Sequence, residues 1–463
     1  MGGGTSITNS LFFSSLLLLL SLFQLLHSQN GVVYAQEKIA SSEEEALGIF
    51  QQRETLEIII GGGGSPSPAP APSPPEYTPC PPPPKPPSRL EKARKVLLNF
   101  TNYIVDPKGF TNNWCSQTFN TCDFNGIRCA TYPISNEPAV AGLDLNQAGI
   151  YGRNNKPLSL SGILDRIPEL TFFHVNSNNF SSSVPKEIVS YGFFYELDLS
   201  NNKLCGQFPM ETLQNNNLVF LDLRFNQLTG PIPSKLFDIH LDVIFINNNR
   251  FNQYLPENFG NTIARYLTFA NNQLCGPIPR SIGKAANTLT EVLFLGNNFD
   301  GCLPYEIGNL KKAVVFDVSK NHLTGPIPYS FGCLRQIQFL NLANNKFYGA
   351  VPENVCKLPG LIKNGNLTLS NNYFTAVGPE CWKLIRSKVL DLTNNCVPGL
   401  PKQRSHKECW EFLHSVKPCP NEKYLLSYSP CAGHWNKESE DTEEVAAAPP
   451  VTYNALKPHR LRL

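Results

Sequence analysis

The phrase LDLRFNQLTGPIP, Leu221 to Pro233, recurs along most of this chain and limits what it can fold into. Aligned on its Asn, the phrase occurs eleven times, from Leu143/Leu145 to Leu390/Leu392, mostly 23 to 25 residues apart. The first spacing is 30 and the ninth 27, which places insertions there. A period of this size makes each unit one coil of a solenoid. Alternation within Leu-x-Leu puts both apolar residues on one side of a short strand and the residues between them on the other. A single coil cannot bury its own leucines, so the units must stack, about 4.8 Å apart, into one shared core. An Asn follows the strand by three residues in all but the first unit, from Asn178 to Asn395; the first has Ala148. These asparagines predict an internal ladder of hydrogen bonds to neighbouring backbone.

The tail of the phrase, seen as LTGPIP, LCGPIP, FYGAVP and FDGCLP, resembles the plant-type leucine-rich repeat. Its glycine permits a tight turn and its proline opens an irregular outer segment. The predicted fold is therefore an α/β solenoid: a right-handed superhelix of about 11 repeats, with a parallel concave sheet and Cys-rich caps at both ends. Such concave surfaces commonly bind proteins or peptides.

The ends of the chain are composed differently. Leu11 to Leu26 is an uncharged 16-residue run, short for a membrane span and suited to a signal-peptide core. Residues 1–35 read as a signal peptide cut after Ala35, with Ser28 as the second choice. This outweighs a match of MGGGTS to the myristoylation pattern. Residues 36–60 form an acidic segment and 61–88 a Gly/Pro-rich linker with polyproline II character. Residues 89–138 make a helical, Cys-containing N-cap, with Leu90, Ala93, Val96, Leu97, Phe100 and Ile104 at helical spacing. Residues 139–402 are the repeats, 403–435 a Cys-rich C-cap and 436–463 a disordered tail. The expected location is secreted and extracellular, where the 14 cysteines can pair.

Several phrases together resemble the repeat domain of the leucine-rich repeat extensins: NWC…CDFNGIRC, AVAGLDLNQAGIYG, GCLPYEIG and NNCVPGLPKQRSHKECWEFL. The resemblance spans about Leu90 to Cys419. The family's long Ser-Pro and Tyr tail has no counterpart in NKESEDTEEVAAAPPVTYNALKPHRLRL, so the chain resembles members lacking the extensin tail. The Ser-Pro and Ala-Pro alternation before the repeats resembles hydroxyproline glycosylation sites. The resemblance implies a scaffold of the cell wall or apoplast that binds secreted basic cysteine-rich signalling peptides of the RALF type and often dimerises. A membrane receptor or cell-wall polysaccharide is a further partner considered. Rival readings are a polygalacturonase-inhibitor-like defence protein and a structural wall glycoprotein.

A net charge of +2 gives no field for nucleic acid. No G-x-S-x-G elbow, H-E-x-x-H or phosphate loop is present, so no enzyme, metal or cofactor is expected. The candidate ligand surface is the outward side of the strands: Glu196, Asp198, Phe220, Asp222, Arg224, Phe245, Tyr266, Glu291, Leu293 and Asp317. This acidic and aromatic set suits a cationic peptide with apolar anchors. Leu-Asp-Leu is also the ordinary way such repeats are written, so the Asp column has a purely structural reading as well. His174 reads as a surface residue. N-glycosylation sequons lie at Asn99, Asn179 and Asn366. A glycan on Asn366 would block one end of the concave face and confine binding to repeats three to eight.

Among the cysteines, Cys122 and Cys129 are expected to pair in the N-cap. Cys205 and Cys275 stand three coils apart, ~14 Å, too far to bond. Cys275 and Cys302 lie on adjacent coils and could bond. One pair is expected among Cys333, Cys356 and Cys381, and Cys396, Cys409, Cys419 and Cys431 staple the C-cap. Cys80 and Cys115 remain, to pair with each other or to bridge two chains.

Overall fold

The computed structural model describes residues 87–115, 120–427 and 431. The expected signal peptide and acidic segment, the expected linker up to residue 86 with Cys80, and the expected C-terminal tail lie outside them. Among the described residues no helix is long and apolar enough to cross a membrane.

The stack is sealed first by helix α1 (Arg89–Thr101). Ser88 and Glu91 close a reciprocal capping box at its start, satisfying two helix-end N–H groups. Ala93, Leu97 and Phe100 point into the core, and Phe100 stacks on Phe180, 6.4 Å between centroids. The Trp114 indole N–H donates to Asn125 O at 2.9 Å and the ring stacks on Phe124. Cys122 and Cys129 are bonded beside them.

Strand β1 (Ile127–Thr131) pairs antiparallel with β2 (Pro138–Asp144). From β2 onward the sheet is parallel, one strand per coil: β3 (Phe172–His174), β4 (Glu196–Asp198), β5 (Phe220–Asp222), β6 (Val243–Phe245), β7 (Tyr266–Thr268), β8 (Glu291–Leu293), β9 (Val315–Asp317), β10 (Phe339–Asn341), β11 (Asn366–Thr368) and β12 (Leu390–Asp391). The register carries Leu197 opposite Leu221, Ile244, Leu267, Val292, Phe316, Leu340 and Leu367 in turn. All are fully buried. One apolar core therefore runs from α1 to the last coil. A phenylalanine spine thickens its middle: Phe237 meets Phe259 at 4.9 Å, and Phe294 meets Phe259 at 5.7 Å and Phe299 at 5.3 Å.

The asparagine ladder is present, with each side chain fully used. The Asn272 amide donates to Ile246 O of the preceding coil and to Phe269 O of its own, while its oxygen accepts from Phe251 N. Asn202, Asn226, Asn249, Asn297, Asn321, Asn345, Asn372 and Asn395 repeat the pattern. The residue before each Asn sits in the left-handed region, among them Asn201, Asn248, Asn271, Asn344 and Asn371. Short polar side chains tolerate that conformation best; Phe225, at φ 53°, occupies it in the fourth coil.

Past the Asn, the chain forms a second set of short parallel strands, five from Cys205–Gly206 to Asn298–Phe299 and three from Thr324–Gly325 to Tyr373–Ala376. The tail proline then begins a 3-10 turn in many coils, as Pro233 does before Ser234–Phe237. Its fixed φ presets that turn.

Pro379–Arg386 (α2) forms the outer segment between β11 and β12, and the C-cap contains His406–Ser415 (α3). Cys356–Cys381 joins two coils and Cys396–Cys409 ties α3 to the last one. Phe412 of α3 stacks on Tyr373 at 3.5 Å. Two further bonds correct the sequence expectation. Cys302 bonds Cys419, not Cys275, and Cys333 bonds Cys431, so these cap cysteines are not stapled to one another. Register explains it: Cys275 lies opposite Asn298, four residues short of Cys302. The segment after α3 thus returns along the stack as a strap. Tyr305 meets Tyr424 at 4.7 Å, and the Tyr348 hydroxyl donates to Glu422 at 3.2 Å.

Candidate functional site

Each strand offers two outward positions on the concave face, and the structure divides the expected ligand residues between surface and interior. Asp198 and Glu196 are half-buried and reachable, as are Phe220, Phe245, Tyr266 and Arg224. Asp222, Glu291, Leu293 and Asp317 are buried, 0%, 4%, 2% and 0% exposed, so they do not present themselves to a ligand.

The Asp column has a structural cause. Asp144, Asp198, Asp222, Asp317 and Asp391 each accept the backbone N–H two residues ahead, from Asn146, Ser200, Arg224, Ser319 and Thr393, at 2.8–3.0 Å. These Asx turns bend the chain out of the strand and into the left-handed residue beyond. Asp317 also accepts from the Asn341 amide at 3.0 Å.

The face changes character along the stack. On coils one to three it is acidic. His174 is buried, not a surface residue as expected, and its Nε2 pairs with Glu196 at 3.0 Å. Burial pulls the imidazole pKa down, but the Glu196 hydrogen bond and the fields of Asp198, Glu196 and Asp144 prevail and raise it above its ordinary value. On coils four to six the face is aromatic. Phe220 and Phe245 meet edge-on at 6.1 Å, and the Arg224 guanidinium lies 5.1 Å over Phe245 while pairing with Asp222 at 2.7 Å. Burial pushes the Asp222 carboxyl up to about 7, with Arg224 opposing and Asp198 adding.

On coils six to nine the face is apolar. Ala270, Leu293 and Val315 form a small cluster separate from the main core, packed against Leu295, Val314 and Phe339. Glu291 stands in register between Tyr266 and Val315 at its edge. Burial alone drives its carboxyl up to about 8. Sequence alternation places Leu293, Leu295, Val315 and Phe339 in an outward apolar column; the structure packs Leu293 and Val315 with Ala270 into a buried cluster, with Leu295 and Phe339 against it.

Asn99 is exposed on α1, Asn366 is exposed on β11 with its oxygen accepting from Thr368, and Asn179 is half-buried. Cys115 is half-buried, and its carbonyl accepts from Arg94 at 2.7 Å. Among the described residues no group of His, Cys, Asp and Glu could hold a metal ion.

The stacked parallel strands, Asn ladder and proline-led outer turns define a plant-type leucine-rich-repeat scaffold. The Leucine Rich Repeat family profile matches residues 217–239. The Arabidopsis receptor kinase HAESA, solved in complex with the peptide hormone IDA and the co-receptor SERK1, superposes with a TM-score of 0.57 at 26% identity, over 66% of this chain and 50% of that one. Among Arabidopsis thaliana relatives, leucine-rich repeat extensin-like protein 2 is 44% identical over 217 residues, 47% of this chain and 27% of that one. Leucine-rich repeat extensin-like protein 7 is 37% identical over 339 residues, 72% of this chain and 75% of its own length. The chain belongs to the leucine-rich repeat extensin-like family. It spans less than half the length of several curated relatives it matches.

Proposed function

We propose that the concave face binds a secreted basic, cysteine-rich peptide of the RALF type, as an extracellular scaffold in cell-wall growth control. The observation that carries this reading is the half-buried aromatic group Phe220, Phe245 and Tyr266 beside the accessible carboxylates Asp144, Glu196 and Asp198. Aromatic anchors supply buried area at small entropic cost, while carboxylates steer and orient a cation. The structural similarity to HAESA, whose solved complex holds a peptide hormone, supports a peptide as the ligand class. In this reading N-linked glycans at Asn99, Asn179 and Asn366 leave coils three to eight open.

The test is a titration of the chain with a panel of basic disulfide-bonded plant peptides, at low and moderate salt. Phe220→Ala together with Phe245→Ala is expected to weaken a binding peptide by roughly 100-fold, from two anchors of about 1.4 kcal/mol each. Glu196→Gln should weaken it less and flatten the salt dependence. Binding untouched by all three substitutions would move the site off this face.

A further inference from the structure

Glu291 is the one acidic side chain on the apolar part of the concave face whose burial has no compensation in the structure. It is 4% exposed, and its Oε2 is buried without a hydrogen-bond partner. Its backbone N–H donates to Arg265 O, which fixes the strand but leaves the carboxyl alone. The strands packed against it bring few titratable groups. From β7 comes Tyr266, with Arg265 just before it. From β9 comes Asp317, whose oxygens are occupied by Ser319 N–H and the Asn341 amide. Among the described residues no cation pairs with Glu291; the Tyr266 hydroxyl is held protonated by burial and by the field of Glu291.

We propose that Glu291 is a proton-operated switch under the ligand-binding face: protonated, it lets the Leu293–Val315 cluster close, and ionised, it must turn out to water and open that cluster. An unpaired carboxylate in apolar surroundings costs several kcal/mol, whereas the neutral acid costs little. Turning outward removes the side chain wedged between Tyr266 and Val315. Leu293, 2% exposed, and Val315, 5% exposed, then lose the cover that separates them from solvent. The carboxyl titrates at about 8, so the cluster is closed in acid and opens in mild alkali. This deepens the peptide-binding reading and rests on it only for its consequence. A basic ligand with apolar side chains would find the Leu293–Val315 surface shut in acid and open, beside an ionised carboxylate, as the pH rises.

The experiment has two arms on the full chain and Glu291→Gln, which keeps the shape but cannot ionise. In the first, no peptide is present, and the fluorescence of an apolar-surface dye is followed from about pH 5 to pH 9 with far-ultraviolet circular dichroism as a fold check. Wild type should bind more dye with a midpoint near 8, and Glu291→Gln should stay flat. The same curve for both proteins, rising or flat, would overturn the switch. In the second arm a synthetic peptide of alternating arginine and leucine is titrated at both pH extremes. The switch predicts about a tenfold or greater gain of affinity in alkali for wild type relative to the variant. If the dye responds as expected and the peptide ignores both pH and variant, the switch stands and the peptide-binding reading fails.

Discussion

At Asp222 a carboxylate that looks like a ligand contact in the sequence spends its oxygens within its own coil, on Arg224 N–H and the Arg224 guanidinium. The Leu-Asp-Leu phrase therefore encodes an Asx turn, and the reachable outward acids are Asp144, Glu196 and Asp198 of the first three coils and Asp391 of the last. Sequence periodicity could say that Asp222 points outward. It could not say that neighbouring side chains close over it, because that depends on register across coils. Each ladder Asn is legible because its role is local and repeated. Replacing Asn272 with Ala would orphan Phe251 N–H in the core and leave Ile246 O and Phe269 O with one ladder donor each, from Asn249 and Asn297. We expect a loss of about 3 kcal/mol, read from urea unfolding of Asn272→Ala against wild type. Titration adds a pH slope. Glu291 has a folded pKa of about 8 against an ordinary 4.5, so between these values the folded chain keeps a proton the unfolded chain has lost. Stability from this group falls as pH rises from 4.5 to 8. Glu291→Gln should match wild type near pH 5 and exceed it by ~2–4 kcal/mol near pH 8 in paired unfolding curves. His174 has the same sign: its raised pKa gives stability that is full below its ordinary value and lost as pH climbs through the folded one.

At the scale of elements, the strands, the caps and α1 follow from spacing that the sequence displays openly. Ala93, Leu97 and Phe100 are buried as their helical pattern predicts, and Leu90 and Val96 half-buried; Ile104, expected on the same helix, is buried instead in a short strand past its end, opposite Gly152. The strap was illegible. Its path is set by two bonds spanning 117 and 98 residues, and nothing periodic specifies which cysteines meet when a cap folds back. One residue does carry a trace of it. Gly325 has φ +89°, and a Cβ there would sit 2.1 Å from Cys419 Sγ. Gly325→Ala should thus strain the strap junction, beyond the cost of a left-handed backbone alone. Removing the Cys302–Cys419 bond by a double change to Ser should cost ~2–5 kcal/mol. Both losses can be read by thermal unfolding. A larger gain in protease cutting around Lys417 and Lys423 than within the repeats would localise the damage to the strap.

Across the repeat stack the concave face runs through a gradient: acidic coils one to three, aromatic coils four to six and an apolar cluster on coils six to nine. The sequence disclosed the ingredients, an acidic and aromatic outward set, but mixed buried with reachable members. Under the proposed peptide binding, that gradient would orient the ligand with its cationic end toward β3 and β4 and its apolar end toward β8 and β9. Raising salt should slow association more than it speeds release, because exposed charges act on encounter and buried anchors on residence. Stopped-flow traces at two ionic strengths check this. The most direct measurement of the central claim is hydrogen–deuterium exchange of the chain with and without a bound basic peptide. Protection on the concave strands β4 to β9, with the outer turns such as Ser234–Phe237 unchanged, is the predicted result. Protection confined to the outer turns or the caps, with those strands exchanging as in the free chain, would contradict it.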